Sequence, residues 1–116
     1  YYDLGAEWKN MTGMSMVYAV WVVNRQFADH HADLVHMVYE QVTGAFTYGL
    51  SNLPAAAQQL ATTMPFSAEL IYNYINLLNY QFTPAHKEAL ITYYRLLHVL
   101  KLIDGVPELE FAEVMK

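Results

Sequence analysis

The side chains best suited to bind a metal or move a proton are clustered early in the chain, where His30, His31 and His36 lie within seven residues of one another. On a helix, spacings of five and six residues turn two side chains more than about 100° apart, so neither spacing presents two ligands on one face. His36 and Glu40, one turn apart, are the pair at a usable step, and such a pair on a polar row is ordinarily a solvated one. No metal site is expected. Ser15, Ser51 and Ser67 lack the strand–turn–helix setting of a nucleophile elbow, and Ser67 is better placed to cap a helix. Gly5, Gly13 and Gly44 do not form a phosphate-cradling loop. Ten tyrosines, among them Tyr39, Tyr72, Tyr74, Tyr80, Tyr93 and Tyr94, suit packing with the hydroxyl at the rim. Without cysteine there is no disulfide, thiol nucleophile or thiolate-bound zinc.

Local signals set out the elements that carry these residues. Asp3 can cap a short helix over 4–12, and Gly13 can take the left-handed position after it. From Ser15 to Asn24 the residues are β-branched and aromatic with almost no polar alternation, which predicts a strand covered on both faces and deep burial of Trp21. It is the one strand pattern in the chain, and a sheet needs partners. Asp29 can cap a long helix with an apolar stripe of Leu34, Val38, Val42, Ala45 and Phe46, opposite a wet row of Asp33, His36, Glu40, Thr43 and Thr47. Pro54 suits the start of a small helix running from Ala55 to about Thr62. Ser67 caps the next, which buries Leu70, Ile71, Tyr74, Ile75 and Leu78 and ends near Asn79. Thr83-Pro84 opens the last helix, with the stripe Leu90, Tyr93, Leu97 and Leu100, and Gly105-Val106-Pro107 stops it. Leu109 and Phe111 in the acidic tail are expected to anchor it.

Hydrophobic residues make up 55% of the 116 positions and charged residues 15%, where a soluble domain carries about 25% charged. So few charges leave apolar surface that is expected to meet something else. The longest apolar run, Met16 to Val23, is far too short to cross a bilayer. The net charge of −5 and scattered Lys and Arg exclude a phosphate-backbone footprint, so nucleic acid is not an expected partner. Tyr1-Tyr2-Asp3-Leu4-Gly5 has neither an initiator Met nor a leader pattern, so the chain is expected to begin inside a longer protein.

Asp3-Leu4-Gly5, Glu7-Trp8, Thr12-Gly13 and Val17-Tyr18-Ala19-Val20-Trp21 together resemble the chorismate dehydratases of the futalosine route to menaquinone. In that family an Asp-Leu-Gly helix containing Trp leads through Thr-Gly into a Phe-Val-Phe-Ala-x-Trp strand. The likeness continues through Tyr48-Gly49-Leu50, Tyr80-Gln81-Phe82, Thr83-Pro84, Tyr93-Tyr94 and Leu109-Glu110-Phe111, and so spans nearly the whole chain.

The resemblance implies an α/β fold: the C-terminal segment of a two-lobed protein like the type II periplasmic binding proteins, itself mostly helical with one buried strand. Residues 1–14 would end the second lobe, 15–24 would cross between lobes, and 25–116 would pack on the first lobe. It further implies a cytoplasmic lyase that removes water from chorismate to give 3-[(1-carboxyvinyl)oxy]benzoate in the interlobe cleft, without an organic cofactor. Thr12, Met14, Ser15 and Tyr18, at the turn and the start of the crossing, are the implied substrate-binding residues. The family's proton-abstracting group lies outside these residues, so no catalytic residue is assigned. The implied partners are chorismate and either the remaining lobe of the same protein or a second copy. Ser15 stands where most of the family has Pro, which softens the turn, and Ala6 stands where Glu would complete a capping box with Asp3. The 1,4-dihydroxy-6-naphthoate synthases share the Asp-Leu-Gly and Thr-Gly signals but continue with a Pro-Leu-Gly strand, against which Tyr18-Ala19-Val20-Trp21 argues. A non-catalytic solute-binding protein of the same fold is one further alternative, and a helical interaction module, against which the lone strand argues, is the other.

Overall fold

The computed structural model describes residues 1–112, which form six helices: α1 (Leu4–Thr12), α2 (Arg25–His30), α3 (Ala32–Ser51), α4 (Leu53–Ala61), α5 (Ala68–Leu77) and α6 (Pro84–Val99). The part of the expected helical region beyond residue 112 lies outside the described residues. Two compact units result. One joins Tyr1–Val22 with Gln81–Phe111, and the other is built on Val23–Tyr80.

Helix ends follow local hydrogen bonding. The Asp3 carboxylate accepts from the Ala6 N–H at 3.0 Å, and Gly13, with φ 73°, closes α1 by donating its N–H to the Lys9 carbonyl. Ser67 caps α5 by accepting from Leu70 N–H at 3.1 Å. At α6, Thr83 and His86 form a reciprocal capping box. The His86 N–H donates to Thr83 Oγ1 at 3.4 Å, and the Thr83 N–H donates to His86 Nδ1 at 3.1 Å.

Three boundaries differ from the expected ones. Asn24, not Asp29, caps the helical stretch, accepting from Phe27 N–H at 3.1 Å, so helix begins at Arg25. The stretch bends at His31, whose φ of −136° separates α2 from α3 although its N–H still reaches the Phe27 carbonyl. The last helix ends at Val99, ahead of Gly105: Lys101 takes a left-handed φ of 57°, its N–H donates to His98 O, and Leu102 N–H donates to Leu97 O, both at 2.9 Å. This is a Schellman closure built on a residue with a Cβ.

The largest correction concerns residues 15–24. Among the described residues there is no strand, and this segment carries no regular secondary structure. Trp21 is 79% exposed, not buried. The physical reason is that no other part of the described chain supplies β-edges, and a strand without a neighbour leaves its N–H and C=O groups to water.

Burial is sparse in both units. Trp8, Ala89 and Leu90 are buried in the first, and Leu53, Ala57 and Ile71 in the second, where α4 packs along α5. The α3 stripe that the sequence would bury is open, with no residue of α3 buried and Leu34, Val38 and Phe46 exposed. On α5 only Ile71 is buried, while Leu70 and Tyr74 are exposed. The acidic tail is held as expected at Phe111, whose ring lies 5.8 Å from that of Phe82 and under Lys87 Nζ at 5.1 Å.

Candidate functional site

Trp8 organises the first unit. It is the buried residue of α1, and its ring meets that of Tyr93 on α6 edge-on, with centroids 5.8 Å apart and planes at 68°. Its indole N–H donates to the Ser15 carbonyl at 3.2 Å. That bond turns the chain back along α1. Thr12 fixes the bend from inside, since its hydroxyl donates to the Trp8 carbonyl at 2.8 Å and accepts from Met14 N–H at 3.1 Å. Three residues beyond Ser15, the Tyr18 hydroxyl rests against Gly5, which is three residues before Trp8.

The four residues singled out in the sequence are therefore neighbours along one return turn. Thr12 and Met14 are half-buried, while Ser15 and Tyr18 are exposed. Thr12 uses its hydroxyl to hold the backbone, which leaves the Ser15 hydroxyl and the Tyr18 ring at the surface. The softer turn implied by Ser15 in place of Pro is braced from outside by the Trp8 bond to its carbonyl. Two residues the sequence did not mark as functional, Gly5 and Trp8, set this geometry. A spacing of thirteen between Gly5 and Tyr18 belongs to no helix or strand period, so periodicity carries no sign of it. The available signal was a glycine inside the first turn of a helix, a residue of poor helix propensity.

The histidines serve other ends. His30 Nδ1 pairs with the Gln26 carbonyl at 2.7 Å, the His31 ring lies 4.7 Å from that of Phe27, and His36 Nε2 is 3.5 Å from Glu40 Oε1. No three His, Asp or Glu side chains gather into a possible metal site among the described residues. A shallow, open groove runs along α3, lined by Tyr39, Glu40, Thr43, Thr47, Tyr48 and Asn52 among others. Its threonine and serine hydroxyls are tied to the helix backbone: Thr43, Thr47 and Ser51 each donate to the carbonyl one turn back, at 2.8, 2.9 and 2.7 Å. No helix among the described residues is long and apolar enough to cross a membrane.

The first unit thus presents a braced return turn at the surface of a helical segment. A family model for menaquinone biosynthesis matches residues 1–99, and the chain belongs to that family. Its role is in menaquinone biosynthesis. No solved structure matches the chain.

Proposed function

We propose that this chain is the C-terminal segment of a two-lobed chorismate dehydratase, and that Thr12, Met14, Ser15 and Tyr18 border its substrate. The observation that carries the proposal is the return turn itself, in which one indole hydrogen bond and one hydroxyl latch hold residues 12–15 against α1 while the Tyr18 hydroxyl rests beside Gly5. That turn lies within the 1–99 match, and its residues Tyr18-Ala19-Val20-Trp21 follow the dehydratase pattern more closely than that of the naphthoate synthases. Exposed Val20, Trp21 and Val22 extend directly from it. In the proposal these residues pair with strands of the remaining lobe, which gives the unpaired segment its ladder and covers its apolar side chains.

The reaction asks little redox chemistry of the protein. The ring of chorismate loses its hydroxyl as water together with one ring proton and becomes aromatic, so atoms balance without an oxidant or organic cofactor. The residues of this chain orient the ring and exclude water from it, while the base that takes the proton sits in the rest of the enzyme, in the cytoplasm. Chorismate incubated with the full-length protein, with 3-[(1-carboxyvinyl)oxy]benzoate followed by chromatography, tests this. Formation of that product is the expected result. Chorismate recovered unchanged, whether bound or not, overturns the proposal in favour of the synthase or a solute-binding protein.

A further inference from the structure

We infer that Gly5 is a positioning residue for substrate binding, because the space left by its missing side chain is the seat of the Tyr18 hydroxyl. The inference rests on the chorismate reading above and deepens it. A Cβ built on Gly5 would overlap the Tyr18 hydroxyl oxygen outright and would lie 3.2 Å from Tyr18 Cζ and 3.3 Å from Asp3 Oδ1. Real Cβ atoms essentially never approach another heavy atom that closely. The backbone gives no competing reason for glycine here, since among the described residues the one glycine with positive φ is Gly13. Gly44, Gly49 and Gly105 have nothing within 4 Å of a built Cβ. Gly5 is thus the glycine whose absent side chain another residue occupies, and α1 tolerates its poor helix propensity in the first turn.

The seat matters because little else restrains Tyr18, which is 70% exposed. The Trp8–Ser15 hydrogen bond sets the register of the returning chain, and the Gly5–Tyr18 contact three residues further along fixes the tip of the phenol. With its tip held and its ring open, Tyr18 can offer a flat aromatic face to a ring-shaped carboxylate substrate. A methyl group on residue 5 evicts the hydroxyl and swings the ring away, without touching the turn held by Trp8 and Thr12.

The test uses the full-length enzyme and the variants Gly5→Ala, Tyr18→Phe and the double variant. Gly5→Ala is expected to raise KM for chorismate about tenfold with kcat changed by less than about twofold, the signature of lost ground-state and transition-state binding in equal measure. Because the new methyl conflicts chiefly with the hydroxyl, the double variant should have a KM no higher than that of Tyr18→Phe alone. Unchanged KM in Gly5→Ala, or penalties that simply multiply in the double variant, overturns the inference. A second readout is independent of turnover: 13C-labelled tyrosine rings followed by NMR, with the Tyr18 signal assigned by its loss in Tyr18→Phe. That signal should move in Gly5→Ala and stay in place in Gly49→Ala. A moved signal in a protein that does not turn over chorismate supports the seat and refutes the substrate, whereas an unmoved signal refutes the seat whatever the activity.

Discussion

Replacing Trp8 is the sharpest probe of the return turn, because one side chain joins α1, the Ser15 carbonyl and α6. The indole is 8% exposed, and a tryptophan buries up to about 250 Å². At about 25 cal/mol per Å² its apolar surface is worth several kcal/mol, and truncation to alanine falls in the usual range of about 3–5 kcal/mol. The edge-on contact with Tyr93 and the bond to Ser15 are part of that loss. Trp8→Phe separates the two contributions. It keeps most of the ring but removes the N–H donor, and since Ser15 is exposed its carbonyl can turn to water, so the cost should be about 1 kcal/mol plus a small packing defect. Urea unfolding of the full-length protein, followed by far-UV circular dichroism so that the lost fluorophore does not matter, measures both variants at constant m-value. If Trp8→Ala costs under about 1 kcal/mol, or Trp8→Phe costs as much as Trp8→Ala, the indole does not anchor the turn.

Further expectations follow from single contacts. Trp21→Ala should cost no more than about 0.5 kcal/mol in this chain alone, where the residue is 79% exposed, but about 3–5 kcal/mol in the intact enzyme if residues 15–24 are seated in a sheet there; equal small effects in both would refute the seating. Lys101→Gly relieves a left-handed conformation at a residue with a Cβ and should stabilise by about 1 kcal/mol in a denaturant titration. Thr83→Ala removes the hydroxyl half of the capping box and should destabilise by about 1 kcal/mol, with most of the loss recovered in Thr83→Ser. The 116-residue chain by itself should show no chorismate turnover, since an interlobe cleft is incomplete without the second wall; measurable turnover would end the two-lobed proposal.

What the sequence determined by itself was whatever a few consecutive residues can settle. Asp3 and Gly13 bound α1, Ser67 opens α5, and Thr83-Pro84 opens α6, as their types and spacing require. A cap is satisfied by a backbone N–H three residues away, so nothing distant can overrule it cheaply. The cap on α2 was harder, because Asn24 and Asp29 both stand before helical sequence, and the choice of Asn24 left Asp29 inside the helix. Tertiary structure decided burial and pairing. The β-rich composition of residues 15–24 states what the segment could become, but a strand exists only with a neighbour to complete its hydrogen bonds. The apolar stripe of α3 likewise marks a face to be covered without naming the cover, and in this chain it stays open. The site lies between these cases. Thr12, Met14, Ser15 and Tyr18 were marked by the family pattern, but their meeting depends on Trp8 reaching across the turn and on Gly5 leaving room for a hydroxyl thirteen residues away, contacts that only the folded backbone brings into range.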